Sequence, residues 1–129
     1  MTRDGWPANV WALATVESPE TRNERIAALL RVPAAIRGVS CEPLLGPLDL
    51  GLRDWAHIPL ADCRLDWVIV GCESGRFRRP CHLEDVRALV EDCRLGGLPV
   101  FVKQLEVNGR VELDPRRWPE DLRIQEFPA

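Results

Sequence analysis

What this chain lacks narrows its class before any motif is read. It has no apolar run of the roughly 18 residues that a membrane span requires. No apolar stretch follows Met1-Thr-Arg-Asp-Gly5 to make a signal peptide. These absences predict a cytoplasmic protein with no membrane contact. Five cysteines (Cys41, Cys63, Cys72, Cys81 and Cys93) are an odd number and contain no Cys-x-x-Cys pair. Both facts argue against a secreted disulfide framework. The spacing also argues against a zinc or iron–sulfur site built by this chain alone, since such ligands usually come in close pairs. Free, buried thiols are the expectation, and no metal ligands are assigned. A net charge of −3 supplies no global positive field to draw in nucleic acid.

What is present fits a single α/β domain over residues 1–129, with 46% hydrophobic and 29% charged residues. The run Leu65-Asp-Trp67-Val-Ile-Val70-Gly71-Cys-Glu73-Ser74-Gly75 organises it. A short apolar segment ending in turn residues reads as a strand buried on both faces, the mark of a parallel sheet. Before it, Asn9–Val16 reads as a strand ending at Glu17. Ser18-Pro19-Glu20 then starts a helix that runs to about Arg31. A second strand covers Ile36–Ser40 and leads into Cys41-Glu42-Pro43. A long connection from Leu44 to Asp66 follows. After the organising strand come a helix from about Leu83 to Arg94, closed by Gly96-Gly97, and a fourth strand, Pro99–Val102. Asn108-Gly109 signals a tight hairpin, and residues 107–129 form a hairpin and C-terminal tail, as residues 1–8 form an N-terminal one. The order β-α-β-loop-β-α-β predicts four mainly parallel strands, an α/β arrangement resembling half of a TIM-type barrel.

In such a sheet the four strand ends lie on one side, where α/β folds keep their chemistry. Glu17, Glu42, Glu73 and Lys103 are the catalytic candidates, with Gln104 beside the lysine. Grouped there, they would suit acid–base work, hydrogen bonding to a ribose, or binding of a divalent cation in a small hydrolase. Arg76, Arg78 and Arg79 follow the Gly75 turn near the second helix and are candidates for holding an anion. His82 reads as a neighbour of the helix cap, and His57 stands alone. An exposed sheet edge would also serve a non-catalytic module that dimerises or binds a partner.

Four blocks carry a resemblance: Asn9-Val10-Trp11 through Glu17, Ser40-Cys-Glu42-Pro-Leu-Leu-Gly-Pro47, Trp67–Gly71 with Glu73-Ser74-Gly75, and Phe101-Val-Lys103-Gln104. Together, over about residues 9–106, they resemble an uncharacterised phage and bacterial protein family that looks like the radical S-adenosylmethionine enzymes. The resemblance implies a TIM-barrel-like fold, S-adenosylmethionine as cofactor, and a [4Fe–4S] cluster held by a three-cysteine motif in the family's N-terminal half. That motif is absent here, so this chain does not ligate the cluster and resembles the C-terminal half, inactive alone. Ser40, Glu42, Gly71, Glu73, Ser74, Gly75 and Gln104 then become cofactor-binding candidates. The implied partner is an N-terminal-half chain, or a second copy. Cys72 stands where the family has Gly, and Leu105-Glu106 where it has Trp-Gly.

Overall fold

A computed structural model describes residues 6–51 and 64–128. His57, Cys63 and the middle of the long connection lie outside these residues. The chain forms β1 (Trp11–Thr15), α1 (Pro19–Leu30), β2 (Ile36–Cys41), β3 (Trp67–Gly71), α2 (Leu83–Leu95), β4 (Val100–Val107) and β5 (Arg110–Glu112). Two short 3-10 turns follow at Pro115–Arg117 and Glu120–Leu122. The strands make one sheet in the order β1-β2-β3-β4-β5. The first four pair in parallel, and β5 returns antiparallel to β4. The fold is therefore α/β with five strands rather than the four expected. The Asn-Gly turn produced the extra one: Asn108 and Gly109 both take positive φ (52° and 75°), which lets a two-residue loop reverse β4 into β5.

Both helices cover the same face of the sheet. Register aligns Val39 with Val68, Cys41 with Val70, Val68 with Val100 and Val70 with Val102, giving rows of small apolar groups at alternate positions. Ile26 and Leu29 of α1 join Val86, Leu89 and Cys93 of α2 in the cluster these rows form. Right-handed crossovers between neighbouring parallel strands put both helices there. α2 closes as its Gly96-Gly97 pair predicts. Gly97 N donates to the Arg94 carbonyl and Leu98 N to the Cys93 carbonyl, with Gly97 at φ +71°, which is a Schellman ending. At the start of β3, the Arg37 amide donates to the Asp66 carboxylate (2.9 Å) and the Asp66 amide to the Arg37 carbonyl (2.7 Å). That exchange sets β3 in register on β2.

The other face of the sheet carries neither of the two described helices. Trp11, Leu13, Trp67, Ile69 and Phe101 alternate onto it, and Phe127 from the tail lies against Trp67 and Phe101 with ring centroids 5.5 and 5.3 Å apart. Trp11 meets Trp67 edge-on at 5.6 Å. Gly38 is required between them, because a Cβ there would come within 2.6 Å of Leu13 and 3.1 Å of the Trp67 carbonyl. The tail also occupies β4's outer edge. Val102 N donates to the Ile124 carbonyl, Glu126 N to the Val100 carbonyl, and β5 takes the far end of the strand. Its anchors are Leu122 and Trp118, only 1% and 2% exposed, and the Trp118 indole donates to the Glu112 carbonyl at 2.8 Å. Trp118→Ala should therefore cost about 3–5 kcal/mol, as loss of a buried tryptophan generally does. Urea denaturation should show a lower midpoint at unchanged slope.

Candidate functional site

The parallel order sends the C-terminal ends of β1 to β4 to one rim. β2 delivers Ser40 and, just past its end, Glu42, whose peptide bond to Pro43 is cis. β3 delivers Gly71, Cys72 and Glu73. β4 does not stop at Val102, as its sequence implies, but runs on to Val107. Its pairing with β3 nevertheless ends at this rim, through a register shift in which Val70 faces Val102 and Gly71 faces Gln104. An extra residue of this kind re-aims side chains near the end of a ladder. Gln104 comes over Gly71, where a Cβ would sit 3.5 Å from Gln104 Cγ, and its amide donates to the Cys72 carbonyl at 2.7 Å. Gln104 is buried.

Lys103 reaches back across β3 to Glu42, with Nζ 3.3 Å from the carboxylate. The two residues belong to the strands on either side of β3, so this ion pair arches over the central strand's end. Glu73 is held differently. Its carboxylate accepts from the Arg79 amide (2.7 Å), Nε (3.1 Å) and Nη2 (2.8 Å). These bonds to the charged form pull its pKa from 4.5 down to about 2. The Arg79 guanidinium is stabilised in turn, first by Glu73, with Glu17 at the end of β1 adding a smaller attraction. Glu17's own ion-pair partner is Arg25, at 3.6 Å. Each rim carboxylate thus faces its own cation. Among the described residues, no group of three His, Cys, Asp or Glu stands ready for a metal. A carboxylate already paired with a cation is also a poor hard-cation ligand until that cation leaves.

The remaining candidates take quieter places. The Ser40 carbonyl accepts from Val16 N, and the Gly71 carbonyl from Leu44 N, so both extend the ladder by one bond. Ser74 and Gly75 are exposed in the turn after β3, and Gly75 has φ +108°. Arg78 donates to the Gly109 carbonyl at the hairpin tip, and Arg76 lies over the Phe77 ring at 5.6 Å. His82 is the N-cap residue of α2, and its carbonyl accepts from Asp85 N and Val86 N. Cys41, Cys72, Cys81 and Cys93 are free and buried. Burial first, then the nearby Glu106 charge, pushes the Cys72 thiol up, so it is held protonated rather than as a reactive thiolate.

Two features escape a reading of the sequence. Nothing in the spacing of Glu42 and Lys103 says that they meet over β3, because that depends on strand order. The Glu73–Arg79 clamp has a weak local signal, an acid and a guanidinium either side of a Gly turn. Carbon-detected NMR should place the Glu73 carboxyl midpoint near pH 2, and Arg79→Ala should return it towards 4.5. The clamp's contribution to stability is then present above pH 4.5 and is lost only as the pH falls through about 2. A wild-type midpoint near 4.5 would show that the clamp does not form.

No helix among the described residues is long and apolar enough to cross a membrane. No curated protein and no solved structure matches the chain. One family does match, over residues 1–119, under the description "Protein of unknown function (DUF5131)". The match takes in every described strand, both described helices and the whole rim, and the chain belongs to that family.

Proposed function

We propose that this chain is the cofactor- and substrate-side half of a radical S-adenosylmethionine-type enzyme of phage type, working with a partner chain that brings the [4Fe–4S] cluster. The observation that carries this reading is the Glu42–Lys103 pair arched over the end of β3, with Gln104 beside it. In parallel α/β folds this rim is where ligands are bound. The donor set fits the cofactor's polar parts. Glu42 accepts from ribose hydroxyls, Lys103 answers the amino-acid carboxylate, and Gln104 and the backbone past Gly71 offer further hydrogen bonds. The described cysteines are scattered over β2, the β3 end, the following loop and α2 rather than gathered as cluster ligands, which is why this reading gives the cluster to a partner. When bound, S-adenosylmethionine would supply the radical chemistry. This chain's residues would orient it and neutralise its charge.

Strand order agrees with a half of a larger parallel assembly. β1 to β4 run in chain order, and β1's outer edge pairs with no described strand. Anaerobic affinity purification with this chain as bait, in its own host, should retrieve an iron-bearing protein with a three-cysteine motif. S-adenosylmethionine binding by that complex should fall about tenfold or more in a Glu42→Ala, Glu73→Ala double variant, the loss expected for hydrogen bonds to charged groups. Undiminished affinity would remove the rim from the cofactor site.

The same open edge favours a second reading, a non-catalytic module that pairs with a second copy. β1 reads Trp11-Ala-Leu-Ala-Thr15, with neither the charges nor the proline that usually protect an edge strand. Trp11 and Leu13 are 42% and 49% exposed. Sedimentation velocity should then detect an iron-free homodimer that Leu13→Lys dissociates into monomers retaining the parent's far-UV circular dichroism. A strict monomer at high concentration would rule this reading out.

A further inference from the structure

The loop that joins β3 to α2 is braced from two sides. At its base, Arg79 closes onto Glu73 through three hydrogen bonds. On its flank, Arg78 donates to the Gly109 carbonyl, which ties the loop to the tip of the β4–β5 hairpin. Arg78 Nε is buried there without a hydrogen-bond partner among the described residues. A loop held this firmly does not expose side chains because it is loose. Yet at its apex Phe77 is 90% exposed, with the Arg76 guanidinium 5.6 Å above one side of the ring.

Charge at this corner departs from that of the whole chain. Arg79 is neutralised by Glu73. No ion pair is formed by Arg76, Arg78 or the exposed Arg110 beside Gly109 among the described residues. Of the acids in the hairpin stem, Glu106 accepts from Cys81 N at 3.1 Å. Glu112 faces Arg117. The corner is therefore locally cationic on a chain of net charge −3. An isolated exposed phenylalanine needs no explanation. A ring backed by one guanidinium, on a fixed loop, next to a second basic element, has the composition of a base-stacking platform. Nucleobases stack on exposed aromatics regardless of sequence, and arginines beside them take the phosphates.

We propose that Phe77, Arg76 and Arg110 form a binding site for a nucleobase that carries phosphate, with the base stacked on the open face of Phe77 and the phosphate held by the two arginines. This proposal uses none of Glu42, Lys103 or Gln104 and does not depend on the cofactor reading. The ligand's chemistry is common to a free nucleotide and to a single-stranded nucleic acid.

The test is fluorescence anisotropy of the full chain with labelled single-stranded oligo(dT), competed with dTMP, which no adenosine-specific site would take up. Binding is expected, with a loss of about tenfold or more in Phe77→Ala and retention in Phe77→Trp. Because Phe77 is solvent-exposed, Phe77→Ala should leave the melting temperature unchanged. Arg76→Ala with Arg110→Ala should reduce the slope of log affinity against log salt by about 1.4, that is, about 0.7 for each single-strand phosphate that an arginine no longer neutralises. Full competition by dTMP identifies a mononucleotide site, and competition only by longer strands identifies a nucleic-acid site. Either outcome supports the proposal. Three outcomes overturn it: no binding, binding unaffected by Phe77→Ala, or competition by polyglutamate but not by dTMP, which would assign the patch to an acidic peptide.

Discussion

Everything in this fold depends on the need to cover β3 on both faces. Trp67, Val68, Val70 and Gly71 are buried, so the strand cannot stand at an edge or face water on either side. β2 and β4 satisfy its backbone in plane, and the two helices bury Val68 and Val70 from one side. The other side is the harder problem, because neither described helix lies on it. Aromatic rings from three separate places solve it: Trp11 from β1, Phe101 from β4 and Phe127 from the tail. The Trp67 indole then finds its acceptor in the Glu126 carbonyl, at 2.8 Å. The tail is therefore a structural member of the sheet and no mere appendage.

The rim follows from the same constraint. Because β3 is central, the strands flanking it bring Glu42 and Lys103 within reach of each other, and the missing side chain at Gly71 leaves room for Gln104. Charges at strand ends are common and prove little. Here their arrangement is more specific, since two ion pairs and one buried amide surround one strand terminus.

Much of this is legible from residue order. The apolar run Trp67–Val70 ending in Gly could hardly be anything but a central parallel strand. Ser18-Pro19 and Gly96-Gly97 mark helix ends within a residue or two. Asn108-Gly109 marks its turn, although a strand as short as β5 has too few residues to show a period of its own. What stays hidden depends on long-range geometry. Residue order understates the length of β4 because Lys103-Gln104 looks like the end of a strand, whereas a register shift carries the chain through it. Leu13 and Trp11 belong to an apolar strand in sequence and lie half open in the fold, since β1 is an edge of the described sheet. The arginines after Gly75 read as one group, yet Arg79 is engaged by a carboxylate, Arg78 by the hairpin, and Arg76 alone lies over a ring.

The capping of β4 by residues 124–126 has a consequence for how this protein would behave when crowded. Sheets polymerise without limit only when each unit offers two complementary free edges, a donor for the next unit and an acceptor for the last. Here the described sheet has one strand edge, β1, that is long enough to recruit another strand, while the tail and hairpin seal the other. Through the described strands, growth would therefore end after a single addition, and runaway fibre formation would first have to peel Phe127 away from Trp67.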